Sequence, residues 1–420
     1  MSSKKTLSIR EMGEAASAAS RRLAVLSSRR KNNILEAMAE ELEARRSEIQ
    51  AANKLDLEAG AKAGLSKAML DRLALTDARF DSMVKGIYDV IALKDPVGRS
   101  LGGWVRPNGL EIEKVSVPIG VIGIIFESRP NVTVDAAVLC FKSSNAVILR
   151  GGKEAIHSNR ALAAAIQEGG EKKGLPANAI QLVQTIQREA VRELVQLEGL
   201  VDLVIPRGGE GLIRAVVEQA RVPVIKHYKG VCHIYVDKDA DLNRAVDIVD
   251  NAKTQRPGVC NAIETLLVHK DVAEAFLPML ANRLIAKGVE LRGDSESCHQ
   301  IPEAKAATEA DWDEEYLDLI LALRVVEDQE AAMDHIHRHG SKHSDAILSE
   351  NESAQKLFLQ QVDSSTVYVN ASTRFTDGQE FGLGAEIGIS TDKLHARGPM
   401  GLEELTTYKY QITGNGQIRP

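Results

Sequence analysis

The sequence predicts an α/β protein with two doubly wound domains and a β arm, and three observations carry that expectation. The continuous apolar run IGVIGIIF at 119–126 and a second buried strand, NAVILRGG at 145–152, are each followed by helical segments, the alternation of a parallel sheet. A second alternation begins at ETLLVH, 264–269, after the first has run out. The chain has 420 residues, enough for two or three domains with sizeable cores.

Residues 8–95 read as helix: Leu35, Met38, Leu42 and Ile49 share one stripe, Glu and Arg supply the polar faces, and no proline interrupts. At 98–118 the character changes to GRSLGGWVRPNGLEIEKVSVP, where Pro107-Asn108-Gly109 signals a turn, so a projecting hairpin is expected. From 119 onward, strands at 119–126, 145–152, 179–184, 200–206 and 222–227 alternate with helices at 134–144, 158–174, 188–197 and 207–220. Ligands of such a sheet sit at the carboxyl ends of its strands. A strand at 231–236 and a helix at 239–252 lead into the second set, which runs through 273–288 to STVYVNAS, 365–372. The terminal TTYKYQITGNGQI, 406–418, alternates like an exposed strand without an evident partner in its own domain, which invites pairing with another chain.

Lys and Arg total 52 against 59 Asp and Glu, a formal charge of −7, so a surface built throughout to grip nucleic acid is excluded and an anionic ligand needs a local basic site. Cys140, Cys232, Cys260 and Cys298 show no CxxC spacing, which argues for a reducing cytoplasm and against a disulfide framework or zinc site. The N-terminus lacks an apolar signal core, Glu11 and Glu14 break a transit-peptide pattern, and no apolar run approaches the ~20 residues of a membrane helix. No membrane partner is expected.

Several segments carry candidate chemistry. In AKTQRPGVCNAIETLLVH, 252–269, Cys260 lies on a tight connection between the two α/β sets, either as a nucleophile or as a small buried hydrophobe. RGGEGL, 207–212, places Gly208 and Gly209 before a helix, where main-chain amides approach an anion or simply make a tight turn. Arg150 and Lys153 follow a strand and suit the ribose or phosphate of a dinucleotide, or are loop charges. In ESRPNVT, Glu127, Ser128, Arg129 and Asn131 meet at a sheet edge, facing a ligand or one another. KHYKGVCH, 226–233, adds Lys226, His227, Lys229 and His233 at another strand end. HIHRHGSKH, 335–343, has no recognised ligand spacing, so no metal is expected there, although His339 and His343 suit a pocket wall.

Taken together, VPIGVIGIIFESRPNVTVDAAVLCFKSSNAVILRGGKEAIHSN, TQRPGVCNAIET and STVYVNASTRFTDGQEFGLGAEIGISTDKLHARGPMGLEELTTYKY resemble the aldehyde dehydrogenase superfamily, and within it the branch that reduces γ-glutamyl phosphate. The resemblance runs in order along nearly the whole chain. It implies an aldehyde dehydrogenase-like fold with a dinucleotide-binding domain of 1–97 and 119–253, a catalytic thiol domain of 254–403, and an oligomerisation arm of 98–118 and 404–420. The hairpin and the last strand would combine across a subunit interface of a homo-oligomer, a dimer or tetramer.

By the same resemblance Cys260 is the nucleophile, Arg150 takes the place of a lysine that contacts the adenosine ribose or its 2′-phosphate, and Glu315 that of a glutamate on the nicotinamide ribose, without the surrounding phenylalanine-glycine-proline pattern. Lys153, Gly208 and Gly209 join the cofactor set. Two departures stand out. Hydrolytic members activate water with a glutamate where this chain has His227-Tyr228-Lys229-Gly230, and their oxyanion-holding asparagine segment is replaced by Glu127 to Asn131, leaving Ser128 or Asn131 as donor. Both suit an enzyme that must not hydrolyse its thioester. Arg129, Lys229, Arg256 and His343 are then candidates for the substrate or its phosphate. The implied activity is NADPH-dependent reduction of L-glutamate 5-phosphate to the 5-semialdehyde and phosphate, the second step of proline biosynthesis, with a transient contact to glutamate 5-kinase. An NAD-dependent aldehyde oxidiser and a non-catalytic nucleotide-binding scaffold are the rival readings.

Overall fold

The computed structural model describes residues 7–419. The chain divides into two compact units, Met1–Lys226 with Gly382–Gly388 and Met400–Pro420, and His227–Phe381 with Ile389–Pro399.

The first unit opens with α1 (Ile9–Leu23), α2 (Ser28–Ala44), α3 (Arg46–Lys62), α4 (Lys67–Leu73) and α5 (Asp77–Ala92). Four of these start where the sequence supplies a hydroxyl cap, Ser8, Ser27, Ser66 and Thr76, each accepting a main-chain N–H of the first turn. The stripe of Leu35, Met38, Leu42 and Ile49 is fully buried, as its spacing predicts. β1 (Ser100–Val105) and β2 (Glu111–Pro118) form the expected hairpin.

Four parallel strands follow, β3 (Val121–Phe126), β4 (Ala146–Gly151), β5 (Ile180–Leu182) and β6 (Leu203–Arg207), in the order β5-β4-β3-β6. Between and after them run α6 (Val132–Lys142), α7 (Ile156–Lys172), α8 (Glu189–Val195) and α9 (Glu210–Gln219). Every residue of β3 and β4 is buried, which is why their sequences, Arg150 apart, are apolar and not alternating. The predicted strand at 222–227 shrinks to one bridge, Val204 with Val224. Pro223 has no N–H to give, and only its carbonyl joins the sheet edge, accepting from Val204.

The second unit holds seven parallel strands: β7 (Cys232–Val236), β8 (Ile263–His269), β9 (Glu290–Gly293), β10 (Lys305–Ala306), β11 (Ile320–Val326), β12 (Ser344–Leu348) and β13 (Thr366–Val369), ordered β10-β9-β11-β8-β7-β12-β13. On one face Ile234, Leu266 and Leu323 pack with α10 (Leu242–Thr254) and α11 (Lys270–Ile285), with α12 (Ser295–Gln300) close by. On the other, Tyr235, Leu267 and Ile347 pack with α13 (Gln329–His339) and α14 (Glu352–Gln361). Because β7 lies inside this sheet, the units part between Lys226 and His227, earlier than the 253/254 boundary drawn from sequence.

A short ribbon of β14 (Ile389–Ser390) and β15 (Gly398–Pro399) precedes the terminal strand β16 (Thr406–Thr413). β16 pairs antiparallel along all of β2 in the same chain, from Thr406 opposite Pro118 to Thr413 opposite Glu111. This corrects the expectation that the strand lacks a partner in its own domain. An edge filled from within the chain forfeits none of the translational freedom that pairing with a second molecule costs. No helix among the described residues is long and apolar enough to cross a membrane.

Candidate active site

α10 ends at Thr254, and the chain turns through Pro257-Gly258 before entering β8, which leaves Cys260 half-buried on the connection. Three contacts pin it. Gly230 lies so close that a Cβ there would stand 2.1 Å from the Cys260 carbonyl oxygen and 2.6 Å from its Cα, so only glycine fits. The Cys232 thiol donates to the Cys260 carbonyl at 3.2 Å, and burial pushes this second thiol well above its ordinary pKa, keeping it protonated. Asn261 braces the loop from the other side: its Nδ2 donates to the Thr376 carbonyl at 2.8 Å, its carbonyl accepts from Thr373 Oγ1 at 2.7 Å, and its Oδ1 accepts from Arg374 Nη1.

Behind the loop, Lys253 and Glu264 form a fully buried ion pair at 2.6 Å. Burial pushes the Glu264 carboxyl up to about 7 against the pull of Lys253, and pushes the lysine down. Glu264 Oε1 also accepts from the Leu317 N–H at 3.2 Å, which anchors the segment carrying half-buried Glu315. Lys229 reaches the Asp313 carbonyl and the Glu314 carboxylate, each at 3.5 Å. Arg256 is exposed on the Cys260 connection.

His343, a candidate for the substrate or its phosphate, lies in the interior. It is fully buried, with Nδ1 2.9 Å from Ser344 Oγ and 3.6 Å from Cys232 Sγ, and burial pushes its pKa down to about 3, so the ring is neutral at physiological pH. His227 lies 2.8 Å, through Nδ1, from the Ile389 carbonyl, and its ring centre is 5.8 Å from that of His343. His335, His337 and His339 lie on α13, and no group of three or more His, Cys, Asp or Glu among the described residues could hold a metal ion.

In the first unit, the loops after β3, β4 and β6 meet at the carboxyl edge of the sheet, where the fold class leads one to look for a ligand. Ser128, at φ 44°, gives its main-chain N–H and its hydroxyl to Glu154 Oε1 at 2.6 and 2.9 Å. Asn131 donates to Asp135 at 2.8 Å, and burial raises that carboxyl to about 6. Arg150 turns inward: its guanidinium donates to the carbonyls of Gly151, Ile186 and Gln187 at 3.0, 3.1 and 3.4 Å, and its buried Nε has no partner. Arg150 thus holds the chain between β5 and α8, where the sequence reading aims it at a ligand. Gly209 gives its N–H to Glu127 Oε2 at 3.2 Å, so a side chain of the protein takes the amide expected to meet a phosphate. Lys153, Arg129, Gly208 and Gly209 are exposed.

The structure therefore groups Cys260 with Arg256 and gathers Ser128, Arg150, Lys153 and the glycine pair at one sheet edge of the other unit. Sequence reasoning missed Gly230, Asn261, Glu264 and Arg374. Asn261 adjoins the cysteine in the TQRPGVCN motif and was within reach; Arg374 comes from a segment more than a hundred residues away with no local signal.

The aldehyde dehydrogenase family model matches residues 1–297. A gamma-glutamyl phosphate reductase from Moorella thermoacetica is 58% identical over 98% of this chain and 99% of its own, and one from Clostridium beijerinckii is 55% identical over 97% and 98%. The crystal structure of gamma-glutamyl phosphate reductase from Thermotoga maritima superposes with a TM-score of 0.97 at 47% identity, covering 99% of this chain and all of that one.

Proposed function

The chain belongs to the aldehyde dehydrogenase family, among its gamma-glutamyl phosphate reductases, and from that premise we propose that it reduces L-glutamate 5-phosphate with NADPH through a thioester on Cys260, in proline biosynthesis. The observation that carries this reading is the Cys260 connection, half-buried and locked against Gly230 and Asn261, in a chain 58% identical to a gamma-glutamyl phosphate reductase. A nucleophile held in one place converts a bimolecular attack into a near-unimolecular one.

Cys260 thiolate attacks the acyl carbonyl, the C–O bond to phosphate breaks, and phosphate leaves with the electron pair. NADPH, when bound, supplies the hydride that brings the thioester to the aldehyde level. Release of the aldehyde restores the Cys260 thiolate. The main-chain N–H of Cys260 is the donor we assign to the oxyanion. Ser128 and Asn131 are tied to Glu154 and Asp135, so either serves as a second donor only by exchanging that partner. By the family resemblance His227 takes the place of the carboxylate of hydrolytic members, which supports a thioester that waits for hydride and is not lost to water.

The first unit fits the phosphate side of NADPH: Lys153 is an exposed cation just past β4, and the orphaned Nε of buried Arg150 adds positive character to the same strand end. Lys153 is the residue we assign to the 2′-phosphate, with Arg150 shaping the wall, Gly208 and Gly209 forming the turn beside it, and Glu315 on the nicotinamide ribose. Four free thiols support a reducing cytoplasm. The three-stranded sheet exposes Trp104, Tyr408, Tyr410 and Ile412, apolar surface that supports its use as the arm of a homo-oligomer. Removing 405–420 should then reduce the mass seen by light scattering; an unchanged mass refutes the arm.

The deciding assay runs in reverse, with glutamate 5-semialdehyde, NADP+ and inorganic phosphate. Phosphate-dependent formation of NADPH is expected. NADPH formation that needs no phosphate and yields glutamate would favour the aldehyde oxidiser instead.

A further inference from the structure

Beside Cys260, among the described residues, the partly buried guanidinium of Arg374 makes no ion pair. Arg374 donates through Nε to Gln255 Oε1 at 2.9 Å and through Nη1 to Asn261 Oδ1, and its carbonyl accepts from Asn261 Nδ2 at 3.4 Å. Both side chains that hold the guanidinium are neutral, and among the described residues it makes no ion pair. It is partly buried, and burial together with the like charge of Arg256 depresses its pKa, while Asp377, Cys260 and Glu380 favour its charged form. A cation fixed by amides on a nucleophile's own loop, and not neutralised, is organised for an anion that arrives from outside.

The surroundings say which anion. Arg374 lines a cleft of about 260 Å³ within the second unit, whose wall also carries Gln255, Asp377 and Glu380. That is below the roughly 300–1,000 Å³ typical of pockets for drug-sized ligands, and suits a small polar head group. A phosphate dianion there would gain one guanidinium and meet two carboxylates. A zwitterion finds an opposite charge for each of its ends. In a γ-glutamyl substrate, three C–C bonds, at most roughly 4 Å, separate the reacting carbonyl from the α-carbon. Arg374 and Cys260 feel each other's charge, which keeps the cleft within reach of the nucleophile.

We propose that this cleft binds the α-amino acid end of the substrate, with Arg374 on the α-carboxylate and Asp377 with Glu380 on the α-ammonium. The inference rests on the function proposed above and assigns its substrate selectivity to residues outside the cysteine motif. Gln255 and Asn261 become positioning residues for Arg374. A substrate lacking the carboxylate would leave the guanidinium partly desolvated and unpaired, the situation in which polar sites discriminate most strongly.

The test uses the full chain in the reverse direction, with the KM for semialdehyde and for phosphate measured separately. Arg374→Met should raise the KM for semialdehyde by about 30-fold or more and leave that for phosphate within about twofold, since one charge-assisted bond to a partly buried group is lost. The wild-type preference for semialdehyde over butanal should collapse to the same degree, and Arg374→Lys should restore part of it. Asp377→Asn combined with Glu380→Gln should erase discrimination against 5-oxopentanoate, which keeps the carboxylate and lacks the amino group. A rise in the phosphate KM alone would make Arg374 the phosphate ligand and overturn the proposal, as would unchanged preferences in these variants. If Arg374→Met disturbs the Asn261 brace and fails to fold, the lysine variant and the double carboxylate variant decide the matter. A wild type that ignores phosphate would sink the proposed reaction, yet its preference between semialdehyde and butanal would still report on the cleft.

Discussion

The loops at the carboxyl edge of the first unit and the loop around Cys260 in the second are equally rich in polar side chains, yet they use them in opposite ways. At the sheet edge Ser128 is matched to Glu154, Asn131 to Asp135, Gly209 to Glu127, and Arg150 to three main-chain carbonyls. Around Cys260 the loop is held by glycine contact and amide hydrogen bonds, and among the described residues the nearby guanidinium of Arg374 has no carboxylate in ion-pair contact. Buried polar groups that satisfy one another build scaffold; groups held rigidly by neutral partners keep their charge for a ligand. Residue type alone cannot separate these two situations.

The sharpest way to test the contrast is at its centre. Cys260→Ser should cut turnover by about 10³-fold or more while leaving the thermal midpoint nearly unchanged, because a neutral hydroxyl without an adjacent base is a poor replacement for a thiolate. Retention of a tenth of the wild-type rate would remove Cys260 from the mechanism. Gly230→Ala comes next. The added methyl would lie 2.1 Å from the Cys260 carbonyl oxygen, so the loop must move, and turnover should fall about 100-fold, since displacements near 1 Å have that effect. Steady-state rates with a melting curve on the same sample check both parts.

In the first unit the expected effects fall on stability and on the cofactor. Burial raises Asp135 from 3.8 to about 6, against the Asn131 amide and the Arg207 charge. The folded state therefore holds this proton more tightly than the unfolded one, so the contribution is full below the unfolded pKa and is lost as pH rises through 6. Relative to Asp135→Asn, the wild type should lose about 2 kcal/mol of unfolding free energy between pH 4.5 and 7.5. Denaturant titrations at the two pH values measure the difference, and parallel profiles for the two proteins would show that Asp135 does not titrate there. The smallest effect is the most selective. Lys153→Ala should weaken NADPH about tenfold and NADH little, because only the former has the extra phosphate. Arg150→Ala, acting through the 186–187 carbonyls, should weaken both equally and lower the melting temperature. Cofactor titrations followed by fluorescence would reveal a selective NADPH loss in Arg150→Ala, which would return that residue to the ligand.

The helical lead-in, the hairpin and the alternation of strands and helices were legible because they depend on near neighbours. A stripe of Leu35, Met38 and Leu42 declares a buried helix face, and IGVIGIIF declares a strand covered on both sides. The candidate nucleophile was legible as a motif, TQRPGVCN, since its residues are contiguous. What tertiary structure alone decided is which polar group meets which. Arg150 finds Ile186, Glu127 finds Gly209, β16 finds β2, and Arg374 finds Asn261 across 36 to about 300 residues of chain, and such pairings depend on distances through space that no local pattern encodes. The division at 226/227 has the same origin: strand 231–236 is equally apolar whichever sheet it joins, and only its register beside Asp345 and Thr265 places it in the second unit. Hydrophobic periodicity is a one-dimensional signal and fixes elements; hydrogen bonds and charges are satisfied in three dimensions and fix the site.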